Sequence, residues 1–290
     1  MTVHELPLER RTLHGHFSRD LEPVLTVDAG DSVRFATLNA GWRGDDEVEF
    51  QPRDPELDSG HALVGPIEVR GATAGAMLAV RVDSITPGSW GFTFADDEYF
   101  HWTLDRDAWT GTDAGGRTVR LAPFLGVMGM PLAEPGVHST TPPREWGGNI
   151  DCKELVAGTT LFLPVPVDGA HFSAGDGHGV QCDGEVSGTA IECPCDEVVL
   201  TLDLRDDLEL AAPLARISDA WVAFGFDVDL DRAMDNALEA MLALLGREHG
   251  LTRPEALALA SLTVDFRVTQ VVNDVKGVHA VLHDGAIQLP

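Results

Sequence analysis

The sequence predicts an α+β fold that is mainly β, with antiparallel sheets in a sandwich-like or barrel-like arrangement and a short helical pair near the C-terminus. Short runs of alternating apolar residues, bounded by turn residues, recur along most of the 290 residues and indicate many strands. Apolar residues spaced by three and four run through residues 230–248, which indicates a helix. We expect one unit over residues 1–290, with an N-terminal β subdomain in 1–110 and a site-bearing β region with C-terminal helices in 111–290.

The first strands are predicted before residue 90. Two strand-like runs, residues 24–27 and 33–37, are joined by Asp28-Ala-Gly-Asp31, and turn residues between alternating segments predict an antiparallel hairpin. Residues 41–60 are polar and contain several Gly and Pro residues, which is typical of a loop. Residues 77–85 follow as a further strand, because apolar and polar positions alternate along them.

Three runs near the centre of the chain predict the surroundings of a pocket. Residues 121–131 are apolar but interrupted by two glycines and two prolines, which predicts a buried strand and turns near the pocket floor. Residues 160–167 form a short apolar run, and Pro164 and Pro166 place it at a sheet edge or bulge. Residues 185–192 are interpreted as a strand that holds Glu185 and Glu192 on opposite faces.

The helical pair is predicted from its caps as well as from its apolar repeat. Asp229 can cap the start of the helix over residues 230–248, and Gly250 follows its end. Thr252-Arg-Pro-Glu255 is a capping box with proline in the first turn, so a shorter helix begins there. We expect both helices to be scaffold.

The composition excludes several function classes. The net charge is −27 at pH 7, so the surface repels nucleic acid and anionic lipid. The only lysines are Lys153 and Lys276, which fits either adaptation to high salt or an acidic protein from a GC-rich genome. No apolar run approaches the about 20 residues of a membrane helix, and the first residues lack the apolar segment of a signal peptide. We therefore expect a cytoplasmic protein with no membrane partner.

The four cysteines do not form a disulfide framework in a chain of this size. They are Cys152, Cys182, Cys193 and Cys195. Cys193-Pro-Cys195 together with another pair could bind structural zinc, but Cys152 and Cys182 lack the short spacing of a ligand pair. Free thiols in a reducing compartment are therefore the favoured interpretation.

Most of the side chains suited to chemistry lie in residues 142–192, between closely spaced glycines. Glycine allows tight turns and close approach of the backbone to a ligand, so we expect a site built on loops. These side chains are Asp151, Asp176, His178, Gln181, Asp183, Glu185 and Glu192.

Three histidines outside this segment, and Asp183 within it, have competing interpretations. His61 lies between the polar loop and the next strand, where it is either a ligand or a half-buried loop residue. His14 and His16 have metal-like spacing, yet histidines near a terminus are more often solvated. Asp183 is interpreted as a turn residue that bonds the backbone.

Three segments resemble the acetamidase/formamidase family: Gly147-Gly-Asn-Ile-Asp151, Gly175-Asp-Gly-His-Gly-Val-Gln-Cys-Asp-Gly-Glu185 and Gly65-Pro-Ile-Glu-Val-Arg-Gly71. The resemblance extends from about residue 24 to residue 273. It implies a metal-associated amidohydrolase that releases ammonia and a carboxylic acid from small amides. Family members usually carry Gln-Gly where this chain has Gln181-Cys182, so a side chain there could narrow the pocket.

Amide hydrolysis needs a covalent nucleophile or an activated water, and the residues favour water. There is no Gly-x-Ser-x-Gly motif, and Lys153 and Lys276 are the only lysines that could serve a lysine-assisted amidase. A divalent cation lowers the pKa of bound water to about 7 and polarises the carbonyl. The expected ligands are Asp151 and His178, with His61 as a third and Asp176 in reserve.

The remaining roles follow from the same chemistry and from the resemblance. Glu185 is the expected general base, which takes a proton from water and passes it to the leaving nitrogen. Gln181 or Asn149 is expected to hydrogen-bond the substrate amide. Zn²⁺ is the favoured ion, with manganese or iron as alternatives.

The predicted function is metal-dependent hydrolysis of a small linear amide, such as formamide or acetamide. Two alternatives stay open: hydrolysis of a cyclic amide or related C–N compound, and a catalytically inactive family member that binds a small molecule or metal. The expected partners are the amide substrate and further copies of the chain in a homo-oligomer.

Overall fold

The structure is a computed structural model that describes residues 1–207 and 210–288. The strands in this part of the chain are β1 (Val3–Glu5), β2 (Leu13–His14), β3 (Leu25–Asp28), β4 (Asp31–Thr37), β5 (Leu63–Arg70), β6 (Met77–Pro87), β7 (Trp90–Ala95), β8 (Glu98–Asp105), β9 (Thr110–Asp113), β10 (Thr118–Arg120), β11 (Phe124–Gly129), β12 (Gly147–Asn149), β13 (Thr160–Pro164), β14 (Phe172–His178), β15 (Cys195–Arg205), β16 (Leu214–Arg216), β17 (Ala220–Asp227), β18 (Val264–Gln270) and β19 (Lys276–His283). The helices are α1 (Leu230–His249) and α2 (Arg253–Thr263), with a short 3-10 helix at Arg10–Thr12.

The strands form three sheets. A nine-stranded sheet has the order β1-β4-β15-β6-β13-β16-β17-β19-β18. A six-stranded sheet has the order β12-β11-β14-β5-β2, with β3 also paired to β5, and a four-stranded sheet has the order β10-β9-β8-β7. Neighbouring strands are antiparallel except for the parallel pairs β1–β4 and β3–β5. The predicted α+β class with antiparallel sheets is confirmed, and no sheet among the described residues closes into a barrel.

The nine-stranded sheet lies between the six-stranded sheet and the helices. It can fill this middle position because its strands carry apolar side chains on both faces. In β6, Leu78, Val80 and Val82 face the core that is shared with the six-stranded sheet. Met77 and Ala79 face the opposite way, into a second core beneath the helices. This alternation is the one that the sequence predicts.

The helical pair forms the third layer and is confirmed with its caps. The Asp229 side chain accepts hydrogen bonds from the first-turn amides of α1, and Gly250 ends that helix with φ 65°. Thr252 and Glu255 form the capping box of α2. Neither helix is long and apolar enough to cross a membrane, and the same holds throughout the described residues.

The predicted hairpin of residues 24–27 and 33–37 is wrong. β3 pairs in parallel with β5 in the six-stranded sheet, whereas β4 lies between β1 and β15 in the nine-stranded sheet. The turn at Gly30, with φ 85°, therefore carries the chain from one layer to the other. Turn residues predict a reversal of direction, but the same residues serve a reversal within a sheet and one between sheets.

Two further expectations about strands are corrected. β13 lies inside the nine-stranded sheet, between β6 and β16, and not at an edge. Pro164 is its last residue and Pro166 lies beyond it, so neither proline removes an interior hydrogen bond. Residues 185–192 are a turn with isolated bridges instead of a strand.

Strands from both sides of residue 110 share the two large sheets. β15 pairs with β4 and β6, and β14 pairs with β5. The expected division into residues 1–110 and 111–290 therefore does not correspond to separate sheets.

Candidate active site

The floor of the candidate site is the strand β11, which lies between β12 and β14. Its residue Gly126 leaves a space that any side chain would fill. A Cβ atom there would lie 2.4 Å from Asp176 Oδ2, 2.6 Å from Asp151 Oδ1 and 2.8 Å from His178 Cε1. The glycine is thus required by the close approach of three polar side chains, and the predicted role of residues 121–131 in shaping the floor agrees with this geometry.

Strand β14 supplies Asp176 and His178, although the glycines around them predicted a loop. Their spacing of two places both side chains on the same face, and Asp176 Oδ2 lies 3.3 Å from His178 Nε2. The ring of Phe124 meets the imidazole edge to face, with 4.9 Å between centroids. β14 therefore presents a carboxylate and an imidazole held by packing.

Asp151 follows β12, and amide side chains bind both its main-chain oxygen and its carboxylate. Gln181 Nε2 donates to the Asp151 main-chain oxygen at 2.7 Å. Asn273 Nδ2 donates to Asp151 Oδ2 at 2.6 Å. Asp151 Oδ1 is left without a partner among the described residues and points toward the space above Gly126.

Glu185 and Glu192 enter the same space from the turn that follows β14. Glu192 Oε1 lies 3.3 Å from His178 Nε2 and accepts a hydrogen bond from Ala190 N at 3.0 Å. The Glu192 backbone also exchanges two hydrogen bonds with Phe92 in β7, which attaches the four-stranded sheet to the site. Because residues 185–192 are not a strand, Glu192 and Glu185 do not face opposite ways as the sequence predicts.

Asp151, Asp176, His178, Glu185 and Glu192 together form what we call the acid–imidazole cluster. Each of these side chains is at most 6% exposed. Ligand atoms of Asp151, Asp176 and His178 lie within 4.8 Å of one another, as do those of His178, Glu185 and Glu192. His178 belongs to both sets and is the hub of the cluster.

The cluster holds four acids and one base away from water, and the pKa values reflect this. Burial and the charge of Glu185 raise the pKa of Asp151 well above its usual value. Burial raises the pKa of Glu185 to about 7. Burial also raises the pKa of Glu192. Burial is the largest cause of all three shifts, and the negative charges of neighbouring acids add to it.

The pKa values of His178 and Asp176 both shift so that the charged form of the side chain is favoured. Burial lowers the pKa of His178, but the charges of Glu192 and Asp176 outweigh burial and raise it well above its usual value. Burial raises the pKa of Asp176, but the charges of His178 and His61 outweigh burial and lower it. The imidazolium proton therefore neutralises part of the negative charge.

The donor atoms of the cluster fit a divalent cation. Within the described residues, several of its buried atoms lack a hydrogen-bond partner: Asp151 Oδ1, Asp176 Oδ1, His178 Nδ1, Glu185 Oε2 and Glu192 Oε2. Unpaired buried carboxylate oxygens are costly unless an ion or a ligand compensates them. Carboxylate and imidazole groups are the ligands of zinc and related metals.

Three other residues predicted for the site lie around the cluster. His61 belongs to neither set of ligand atoms; its ring Nδ1 lies 2.8 Å from Thr140 Oγ1. Asn149 Oδ1 and Gln181 Oε1 are buried acceptors without a partner among the described residues. The Cys182 side chain is exposed. The roles assigned to these residues stay predictions.

His14 and His16 are buried, so the expectation that they are solvated is wrong. His14 Nε2 lies 2.9 Å from Ser173 Oγ, and His16 Nδ1 lies 2.7 Å from Asp58 Oδ1. Both rings fasten the N-terminal segment to its neighbours and belong to neither set of ligand atoms in the described residues. The cysteines are free, as expected.

Lys153 and Asp183 form an ion pair at 2.8 Å. The Lys153 ammonium is therefore engaged with a carboxylate and is poorly placed to assist a nucleophile. Asp183, interpreted from the sequence as a turn residue that bonds the backbone, instead binds this lysine.

Two residues of the site were missed by sequence reasoning as partners of Asp151 and His178. Glu192 was noted among the acids but placed on the wrong face, because alternation was applied to a segment that is a turn. Asn273 is 122 residues from Asp151 in the chain, so no local pattern indicates their contact.

The fold is shared with solved acetamidase structures. The acetamidase from Bacillus halodurans superimposes with a TM-score of 0.84 at 24% identity, covering 96% of this chain and 97% of that one. The acetamidase from Yersinia enterocolitica gives a TM-score of 0.85 at 23% identity, covering 99% and 93%. At these identities the likeness shows the fold.

Curated relatives share about a quarter of the aligned residues. The chain is 25% identical to the formamidase of Methylophilus methylotrophus in an alignment of 259 residues, and the match covers 64% of this chain and 64% of the relative. It is 26% identical to the acetamidase of Mycolicibacterium smegmatis in an alignment of 249 residues, and the match covers 60% of this chain and 61% of the relative. The match thus spans about three fifths of the length of these relatives.

The family model described as the acetamidase/formamidase family matches residues 3–113 and 124–283. This match covers every strand of the floor and each residue of the acid–imidazole cluster. The resemblance noted in the sequence is therefore confirmed. The chain belongs to the acetamidase/formamidase family.

Proposed function

We propose that the chain is a metal-dependent amidohydrolase that cleaves a small linear amide, of the formamide or acetamide type, to ammonia and a carboxylic acid. The observation that carries the proposal is the acid–imidazole cluster above Gly126 in a member of this family. Relatives named formamidase and acetamidase support the choice of substrate class. The near-complete burial of the cluster favours a small acyl group over a bulky one.

A divalent cation, with Zn²⁺ as the first choice, would be held by Asp151, Asp176 and His178. His61 stays a candidate for a further ligand. When bound, such an ion supplies a water of lowered pKa and polarises the amide carbonyl. The residues prepare this role by presenting unpaired oxygens and by keeping bulk water out of the site.

Glu185 would transfer a proton from the attacking water to the leaving nitrogen. Its carboxyl has a pKa raised to about 7 by burial, and an acid with a pKa near the working pH can both accept and donate a proton efficiently. Its buried Oε2 lacks a partner in the described structure and is free to take the proton from the attacking water. The same atom then returns the proton to the amide nitrogen as the C–N bond breaks.

Asn149 and Gln181 would bind the amide group of the substrate. Their buried oxygens Asn149 Oδ1 and Gln181 Oε1 lack donors among the described residues, and a primary amide offers two N–H donors. The orientation of Gln181 is supported by its Nε2, which donates to the Asp151 main chain. Glu192 would orient the His178 ring through the contact between its Oε1 and His178 Nε2.

Ammonia release is the assay that tests this proposal. The panel contains formamide, acetamide, propionamide and benzamide, with opening of a five-membered lactam followed separately. We expect turnover of the shortest amides, loss of turnover after chelation and recovery with Zn²⁺. Asp151→Asn should abolish turnover, whereas Asp265→Asn, at an exposed position of β18, should not.

Three results would contradict the proposal. Turnover that is insensitive to chelation would exclude a metal ion from the mechanism. Turnover of the lactam alone would favour a cyclic substrate. Bound metal without any turnover on the whole panel would favour a binding protein.

The proposal extends to a cytoplasmic location and a homo-oligomeric assembly. The assembly is proposed because most soluble oligomers are homo-oligomers with closed symmetry. Light scattering coupled to gel filtration should report a mass that is a multiple of 31.1 kDa. A mass of a single chain would contradict the assembly.

A further inference from the structure

The two oxygens of the Asp151 carboxylate have different surroundings. Oδ2 accepts a hydrogen bond of 2.6 Å from Asn273 Nδ2. Oδ1 has no partner among the described residues and lies near Asp176 and His178 around the Gly126 space. The bond from Asn273 therefore decides which oxygen faces the cluster.

Asn273 is itself held by a fully buried glutamine at the end of β18. Gln270 Oε1 accepts hydrogen bonds from Val272 N at 2.9 Å and from Asn273 N at 3.2 Å. Gln270 Nε2 donates to Val275 O at 2.7 Å. One side chain thus closes the loop between β18 and β19 and fixes the position from which Asn273 reaches Asp151.

The same end of β18 also holds the turn that carries Glu185. Gly184 N donates to Thr269 O at 3.0 Å, and Val271 N donates to Gly184 O at 3.3 Å. Glu185 comes next in the chain, on a backbone with φ 46°. The segment 269–273 therefore contacts Asp151 through Asn273, and it contacts Gly184, the residue before Glu185. Both acids are far from this segment in the sequence.

A neutral donor suits this position chemically. An amide N–H orients a carboxylate and fills one of its lone pairs without adding positive charge. An arginine or lysine at the same place would compete electrostatically with a cation for Asp151. Partners of this kind behind a metal ligand typically change metal affinity by about 10- to 100-fold.

We propose that Asn273 is a positioning residue that fixes the Asp151 carboxylate with Oδ1 available for a divalent cation, through the loop that Gln270 closes. The inference rests on the proposed function in one respect, namely that the cluster binds a cation. It adds a residue from the C-terminal strand pair to the site. It also assigns the loop between β18 and β19 a part in metal binding.

The test measures Zn²⁺ affinity of the full-length protein by competition with a chromophoric chelator at high ionic strength, where the acidic surface binds few ions. Asn273→Ala keeps the backbone bonds to Gln270 and removes only the donor to Asp151. We expect it to weaken Zn²⁺ binding about 10- to 100-fold. The matched control is Asn236→Ala, which removes an asparagine that donates to Phe226 O on the helical face and should leave the affinity unchanged.

A swapped variant separates positioning from stability. Asp151→Asn combined with Asn273→Asp restores a donor and an acceptor between the two residues, but it removes the carboxylate from position 151. We expect the melting temperature of the metal-free protein to stay near that of the wild type while Zn²⁺ affinity stays low. Recovery of wild-type affinity in the swapped variant would overturn the inference.

The affinity assay also separates this inference from the proposed function. Wild-type affinity in Asn273→Ala would overturn the positioning role even if amides are hydrolysed. Weakened affinity in Asn273→Ala supports the role even if no amide in the panel is a substrate. A wild-type protein that binds no divalent cation would overturn the inference together with the metal dependence of the proposed function.

Discussion

At the scale of single residues, the site combines like charges with an unfavourable backbone. Asp151, Asp176 and Glu185 all have left-handed backbones, with φ of 52°, 61° and 46°. This conformation costs about 1–2 kcal/mol for a residue other than glycine. Such strain persists only where the surrounding packing determines it, and it concentrates at functional sites. The metal-free cluster therefore lowers the stability of the fold in which it lies.

Replacing Glu185 by glutamine should stabilise the metal-free protein. The pKa of Glu185 rises from 4.5 to about 7 in the folded protein. A raised acid pKa means that folding stability is full below about pH 4.5 and is lost as the pH rises through about 7. The shift corresponds to at most about 3 kcal/mol.

Denaturant unfolding of the metal-free proteins measures this effect. We expect Glu185→Gln to be more stable than the wild type by roughly 1–3 kcal/mol at about pH 8, and by little at about pH 4. Amide turnover should be lost. Glu98→Gln, at an exposed position of β8, should change neither quantity. A destabilised Glu185→Gln at the higher pH would contradict a raised pKa of Glu185 in the folded protein.

Adding one methyl group at Gly126 should remove function with little change elsewhere. The new Cβ atom would lie within 2.8 Å of Asp151, Asp176 and His178, which displaces the atoms that would hold a cation. We expect Gly126→Ala to lose Zn²⁺ binding and amide turnover. The control, Gly246→Ala in α1, has its nearest contact at 3.4 Å and should retain both. Normal zinc affinity in Gly126→Ala would show that the ion binds elsewhere.

Individual site residues could be predicted from the sequence where residue type and short-range spacing indicated them. Asp176 and His178 are two apart, so their common face follows once β14 is a strand. Asp151 and Glu185 join them as expected. The contact between Asn273 and Asp151 depends on how distant strands pack, and no short-range pattern encodes it.

At the scale of elements, periodicity predicted which segments are strands and helices more successfully than which strands pair. The alternation of β6 and both helix caps follow from local rules. The glycines of β14 misled the prediction because they serve close approach of neighbouring backbones. A Cβ at Gly175 would lie 2.2 Å from Ala62 O, and one at Gly177 would lie 2.4 Å from Cys193 O.

The attachment of β2 should make stability depend on pH. His14 in β2 is buried against Ser173 in β14, and burial lowers its pKa from 6.5 to about 4. A lowered histidine pKa means that the folded state resists protonation, so stability is present above about pH 6.5 and is lost as the pH falls toward 4. The full effect is on the order of 3 kcal/mol.

Unfolding free energies measured across this pH range test the role of His14. We expect His14→Gln to lose less stability than the wild type between about pH 7 and pH 4. His283→Gln, at an exposed position of β19, should follow the wild type. Parallel curves for His14→Gln and the wild type would contradict a histidine that is forced to stay neutral.

At the scale of the whole molecule, net charge dominates the surface. There are 47 acidic and 20 basic residues, so 27 negative charges lack a basic counterpart. Surface ion pairs such as Arg216 with Asp284 contribute at most about 1 kcal/mol each. The uncompensated charges repel one another, and this repulsion destabilises the compact state.

Salt should therefore stabilise the protein. Between about 0.01 M and 1 M sodium chloride the screening length falls from about 30 Å to about 3 Å. We expect the melting temperature to rise over this range, because weaker repulsion outweighs the weakening of surface ion pairs. Potassium chloride should act equally, since screening depends on ionic strength. A melting temperature that stays constant or falls would contradict adaptation to high salt.

The proposed function depends on the binding of a catalytic cation by the acid–imidazole cluster. Anomalous X-ray diffraction at the zinc edge, on crystals of protein that hydrolyses acetamide, tests it most directly. We expect a single strong peak within bonding distance of a ring nitrogen of His178 and of carboxylate oxygens of Asp151 and Asp176. Active crystals with no peak in the cluster, or with the peak only at the acidic surface, would contradict it.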